Sequence, residues 1–135
     1  MKELTVEALK ENLDTVLQFV DGELEGMDCP IKIQFQIDVA VEEIFINIAS
    51  YAYGDKTGSA KIEVMATDNP AAVSIKFTDS GVPYDPLEKP DPDVTLSAEE
   101  RRIGGLGIYM VKKSMDAMEY EYQDGKNILI IKKVF

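Results

Sequence analysis

The chain has 135 residues, 45% of them hydrophobic, with 25 Asp and Glu against 14 Lys and Arg for a formal charge of -11. That length supports one domain with a real core and is too short for two ordinary ones. A surface this acidic argues against direct nucleic-acid partners, because the basic residues are scattered in small pairs such as Arg101-Arg102, Lys112-Lys113 and Lys132-Lys133.

Cys29 is the only cysteine and histidine is absent, which excludes an intrachain disulfide, a Cys/His zinc site and any His-dependent triad. Acid–base chemistry is left to carboxylates, lysines or tyrosines. The start, Met1 to Glu7, lacks the apolar core of a signal peptide, and no apolar run is long enough to span a bilayer. The expectation is a cytoplasmic protein with no membrane partner.

Residues 2–7 alternate enough for a short strand. Leu9, Leu13, Val16, Leu17, Val20 and Leu24 then recur at helical spacing and predict a helix over 8–24. The following stretch reads two ways. Ile31, Ile33, Phe35, Ile37 and Val39 alternate with polar residues as in a half-buried strand, whereas Ile37, Val41, Ile44, Ile48 and Tyr51 have helical spacing up to Gly54, a natural C-terminal stop. We read helix from about residue 32.

Residues 59–67 and 71–79, separated by Asp68-Asn69-Pro70, predict a hairpin. From Gly81 to Arg102 four prolines, Pro83, Pro86, Pro90 and Pro92, lie among acidic residues, which suits a loop with a helical turn near Ser97 to Glu100. A connection of that length is uncommon in a compact domain and usually functional, as in a lid. Ile108, Val111, Met115 and Met118 predict a helix over 105–118, and strands over about 118–123 and 127–134 flank the Asp124-Gly125 turn.

The order strand, two helices, hairpin, loop, helix, hairpin predicts an α+β fold. It would be a two-layer α/β sandwich with a mixed, mostly antiparallel sheet and helices on one face, in a single domain covering 1–135. A Rossmann reading of the glycines fails, because the segment before them is a loop rather than a strand.

Three polar clusters could carry chemistry. Gly104, Gly105 and Gly107 open an apolar, helix-phased run, Ile103-Gly104-Gly105-Leu106-Gly107-Ile108. Glycines let a backbone approach an anion, and the unpartnered N–H groups of a following helix attract phosphate, although a glycine cluster is more often a tight turn. Glu43 and Asn47 lie four apart and share one helix face, with Glu42 about 100° away. A solvated face would explain them. The functional reading makes Asn47 a neutral oxygen ligand for Mg2+ and Glu43 a general base. Asp79-Ser80-Gly81 is either a plain strand exit or an acceptor for the exocyclic amine of adenine, with Gly81 leaving room for the base.

In this order, Glu43-x-x-x-Asn47, Asp79-x-Gly81-x-Pro83-Tyr84-Asp85-Pro86 and Gly104-Gly105-Leu106-Gly107-Ile108 resemble the N, G1 and G2 boxes of the GHKL ATP-binding superfamily. The short form, and the run Val41 to Ala49 followed by Tyr51-Ala52-Tyr53, is most similar to the anti-sigma-factor serine kinases. The resemblance reaches through Met115 to Tyr120 to the last strand. It implies a Bergerat-type ATP site in which Asn47 ligates Mg2+, Glu43 is the general base, Asp79 and Gly81 receive adenine, and Gly104, Gly105, Leu106 and Gly107 hold phosphates. Arg101 or Arg102 would reach the γ-phosphate.

The resemblance also implies phosphorylation of a STAS-domain anti-anti-sigma factor, binding of a sigma factor, a homodimer, and helix rather than strand at 32–37. Tyr51 stands where such kinases often carry a histidine, and a chain without histidine cannot phosphorylate itself as a histidine kinase. Two further readings stand beside the kinase: an ATP-binding regulatory module without phosphotransfer, and an acidic adaptor without a nucleotide site.

Overall fold

The computed structural model describes residues 2–68, 70–87 and 105–135. Five strands, β1 (Lys2–Glu7), β2 (Ser59–Thr67), β3 (Ala72–Asp79), β4 (Ala117–Gln123) and β5 (Lys126–Val134), form one sheet in the order β1-β2-β3-β5-β4. Every pairing is antiparallel, so among the described residues the sheet has no parallel component, and the expectation of a mixed sheet is corrected to that extent. Three helices, α1 (Leu13–Gly26), α2 (Ile31–Tyr51) and α3 (Gly105–Ser114), supply the other layer. The architecture is the α+β sandwich that the sequence predicts.

The alternation of the strands builds the core. Ile62 and Val64 of β2, Val73, Ile75 and Phe77 of β3, and Leu129 and Ile131 of β5 are buried toward the helices. There they meet Val16, Val20 and Leu24 of α1, Ile37, Val41, Ile44 and Phe45 of α2, Val111 of α3, and Met115 just beyond it. Burying each of the larger side chains contributes roughly 1.5–3 kcal/mol. That burial fixes both the strand register and the faces the helices present.

The ambiguous stretch at 31–39 is helical. Ile31, Phe35 and Val39 satisfy a strand's alternation, but they are also four residues apart, and on α2 they form one stripe that is 86%, 69% and 44% exposed. The buried set, Ile37, Ala40, Val41, Ile44 and Phe45, follows the helical period. Once the later turns are held by the core, adding earlier residues to a formed helix is cheap, and Gln34 N–H donates to the Pro30 carbonyl (2.9 Å) in the first turn.

Two helix bounds differ from expectation. The helix predicted over 8–24 begins at Leu13, after a 3-10 turn at Lys10–Asn12, because the Ala8 N–H donates to the Gly58 carbonyl (2.8 Å) and keeps the chain beside β2. The helix predicted over 105–118 ends at Ser114. Asp116 N–H donates to the Lys132 carbonyl (2.9 Å), which draws the chain into the sheet, and Lys133 Nζ caps the Ser114 carbonyl (2.7 Å). Met118 matched the helical phase by coincidence and packs against the core from β4.

Between α1 and α2, the Asp38 carboxyl hydrogen-bonds to that of Asp21. Its pKa is pushed up to about 7, by burial first, then by that hydrogen bond and the charge of Asp21. Asp21 Oδ1 and Asp38 Oδ1 are buried without a hydrogen-bond partner. Burial, and then Asp38, also push the nearby Cys29 thiol upward. Among the described residues no helix is long and apolar enough to cross a membrane.

Candidate functional site

The C-terminal half of α2, the exit of β3 and the start of β5 meet at one end of the sandwich. Asp79, the last residue of β3, and Asn127, the second of β5, are direct cross-strand partners and two of the three buried polar residues described. Buried polar groups need partners, and these have them. Asp79 Oδ1 accepts from the Gly81 N–H (2.9 Å) and from Asn127 Nδ2 (3.0 Å). Asn127 Nδ2 also donates to the Val82 carbonyl (2.8 Å), and Asn127 Oδ1 accepts from the Tyr84 N–H (3.1 Å) and from the Tyr120 hydroxyl. Burial raises the Tyr120 pKa, the Tyr84 N–H works against it, and the charges of Asp85 and Asp79 push it further up, so the phenol stays a donor at neutral pH.

Gly81 allows this arrangement. A Cβ there would collide with the backbone carbonyl of Ala52, and the Val82 N–H donates to that same carbonyl (2.8 Å), so the β3 exit lies directly on the end of α2. Tyr53 completes the junction, donating its hydroxyl to the Ser59 carbonyl (2.5 Å) and accepting from the Ser80 N–H (2.8 Å).

Above this junction opens a cleft of about 470 Å³, open solvent at its mouth included. Its walls are apolar, with Ile44 and Ile48 from α2, Phe77 from β3, Val82 and Pro86 from the exit segment, and Ile108 from α3. The polar groups that converge on it are Asn47, Asp79, Tyr120 and Asn127. Tyr51, in the position noted above for its missing histidine, stacks on Tyr84 with ring centroids 6.2 Å apart and planes inclined by 29°. An apolar slot with a few convergent polar groups is the usual form of a small-molecule site.

Glu43 does not line the cleft. One turn from Asn47, its carboxylate packs against Gly107 in the first turn of α3, where any Cβ would fall inside the carboxylate. Burial, and then the neighbouring Glu42, raise its pKa above the ordinary glutamate range. The first turn of α3 carries no acidic residue and its last turn carries Lys112 and Lys113, charges that leave the positive end of the helix dipole open.

The structure thus brings Asn47 and Asp79 to one cleft, seats Gly81 at its edge, and sets Glu43 against Gly107 beside it. Gly105 and Leu106 belong to the first turn of α3, while Arg102 and Gly104, with the turn expected near Ser97 to Glu100, lie outside the described residues. Sequence reasoning missed Asn127 and Tyr120. The signal was there: with Leu129 and Ile131 pointing inward from β5, alternation puts Asn127 on the buried face too.

A sheet covered on one face by helices, with a polar-floored slot between α2 and the β3 exit, defines a small-molecule-binding type of sandwich. The model of the histidine kinase-like ATPase domain family matches residues 6–133. The chain belongs to that family. It is similar to the serine/threonine-protein kinase BtrW of Bordetella bronchiseptica, 27% identical over 100 residues covering 74% of this chain and 70% of that protein. It is also similar to the serine-protein kinase RsbW of Listeria monocytogenes, 25% identical over 103 residues, covering 73% and 64%. The RsbW of Bacillus cereus is 27% identical over 106 residues, covering 71% and 61%. The chain therefore spans roughly two thirds of the length of these curated relatives.

Proposed function

We propose that this protein is an ATP-dependent serine protein kinase and anti-sigma factor that phosphorylates a STAS-domain anti-anti-sigma partner. The observation that carries the reading is the meeting of Asn47 and Asp79 in one cleft with Glu43 on the first turn of α3. The names of the relatives, serine-protein kinases at 25–27% identity, support the reaction class.

In this reading the free oxygen of Asp79 accepts the exocyclic amine of adenine, and Gly81 leaves the space for the ring. Tyr51 and Tyr84 wall the mouth. Among the described residues no cluster of three or more Asp, Glu or Cys side chains could hold a metal alone. The Asn47 carbonyl oxygen, a hard neutral donor, fits Mg2+ completed by phosphate oxygens and water. The N–H groups at the start of α3, with Gly104, Gly105, Leu106, Gly107 and Arg102, hold the phosphates. Mg2+ bound there would neutralise charge on the transferred group.

Glu43 takes the proton of the attacking serine hydroxyl. Its raised pKa brings it nearer the pH at which it must work. The sigma factor, the homodimer and the cytoplasmic setting belong to the same reading.

The test is incubation with γ-labelled ATP and a STAS protein encoded beside it. Phosphoserine on the partner is expected. ATP binding without transfer would instead leave a regulatory nucleotide-binding module. Asn47→Ala should weaken Mg-ATP binding by about tenfold or more, measured by calorimetry, through loss of one metal ligand.

A further inference from the structure

Asn127 is the best-partnered side chain in the cleft. Its carboxamide orientation is fixed by chemistry: Asp79 Oδ1 and the Val82 carbonyl can only accept, and the Tyr84 N–H can only donate, so Nδ2 must face the first two and Oδ1 the third. The Tyr120 hydroxyl closes the set by donating to the same Oδ1. All of this occurs at a residue only 6% exposed, where each unmatched group would be costly.

The consequence for Asp79 is specific. Its Oδ1 is used twice, by the Gly81 N–H and by Asn127 Nδ2, and among the described residues none donates to Oδ2. The carboxylate therefore presents a single acceptor in a fixed direction. The same carboxamide pins Val82 and Tyr84, the segment that forms the outer wall with Pro86 and the Tyr51 ring.

We propose that Asn127, held by Tyr120, is a positioning residue that makes the cleft selective for a purine bearing a 6-amino group over one bearing a 6-oxo group. This rests on the nucleotide reading above and adds the origin of its base selectivity. A locked carboxylate accepts from an amine and repels a carbonyl oxygen. An unlocked one can rotate away and admit water, which lessens both the reward and the penalty.

The experiment measures binding of ATP and of inosine triphosphate, the 6-oxo analogue, to wild type, Asn127→Ala and Tyr120→Phe by calorimetry. Amide hydrogen exchange at Tyr84 is followed without nucleotide, and thermal melts show that the variants are folded. Wild type should prefer ATP strongly. In Asn127→Ala the preference should fall roughly tenfold to hundredfold, by loss of ATP affinity with inosine triphosphate little changed, and in Tyr120→Phe by a smaller factor. Tyr84 exchange should quicken in Asn127→Ala, because that residue supplies the nearer of its two acceptors (3.1 Å, against 3.3 Å to the Tyr120 hydroxyl) and also holds that hydroxyl in place.

A merely structural role would lower both affinities by the same factor and leave the ratio intact, and that result overturns the proposal. So does unchanged exchange at Tyr84. Wild-type protein that binds neither nucleotide would instead sink the nucleotide reading itself, and the selectivity with it.

Discussion

At the C-terminal end of α2 the buried polar groups are complementary. Asp79 meets a carboxamide and a backbone N–H, and Asn127 meets two acceptors with its nitrogen and two donors with its oxygen. Farther toward the N-terminus of the same helix, Asp38 faces Asp21, and burial first, then that neighbour, raise the Asp38 pKa to about 7 while an oxygen of each carboxyl lies buried without a hydrogen-bond partner. The first arrangement is held by matched donors and acceptors. The second exists because a carboxyl group has kept its proton, so its contribution changes with pH. One helix thus carries a site whose shape is specified by matched partners and a packing contact whose strength is set by titration.

The largest effect that would test this contrast is catalytic. Glu43→Gln should keep ATP binding and lower phosphotransfer by about 10²–10⁴-fold in single-turnover assays. In wild type the acid limb of transfer should lie above the normal glutamate range, because Glu43 is raised by burial and by Glu42. Equal losses of binding and transfer would remove the distinction between Glu43 and the cleft proper.

Next in size, Asn127→Leu replaces the carboxamide with an apolar group of similar volume. It takes the side-chain donor from the Val82 carbonyl, one of two donors from Asp79 Oδ1 and one of two acceptors from the Tyr84 N–H, at a cost of about 1–3 kcal/mol in urea denaturation.

The opposite sign is expected at the carboxyl pair. Asp38 has a native pKa of about 7 against an ordinary value of 3.8, so between those pH values the folded state binds more protons than the unfolded one. Stability from this group is therefore fully present below about pH 4 and is lost as pH rises toward 7. Asp38→Asn, which cannot ionise, should melt above wild type by a margin that grows from pH 4 to 7 and levels off beyond. A constant margin would show that the pair does not share a proton.

The smallest change belongs to the exposed face of the sheet. Lys61 Nζ lies 3.4 Å from Glu3 and 3.7 Å from Glu63. Lys61→Gln should shift stability by about 1 kcal/mol, since the exposed Glu3 pair gains little in water and only Glu63, whose side chain is 10% exposed, loses a cation it needs.

Periodicity made most of the fold legible, because the core needs one face of each element and so writes the spacing of Ile37, Val41 and Ile44 or of Val73, Ile75 and Phe77 into the chain. It failed where two periods coincide. Ile31, Phe35 and Val39 fit a strand and a helix equally, and Met118 fits the phase of α3 although long-range hydrogen bonds had already ended that helix.

At the site, the order of Glu43, Asn47, Asp79 and the glycines was readable, and Asn47 and Asp79 do share a cleft. Asn127 was not read, because its importance comes from register with a residue 48 positions away, which no local spacing encodes. Nor could spacing reveal that Gly107 yields its volume to Glu43 and Gly81 to Ala52. Those are contacts between elements, decided only when the layers are assembled.

The separation of Asp79 and Asn127 along the chain also bears on synthesis. A polypeptide emerging from the ribosome completes α2 and β3 well before β5 exists, so Asp79 waits at a sheet margin until the last nine-residue strand zips onto it. Capture of a small ligand at this spot would therefore report that the C-terminal hairpin is in place. A chain ending before Lys126 would lack both the strand that pairs with β3 and the carboxamide that holds Asp79 Oδ1.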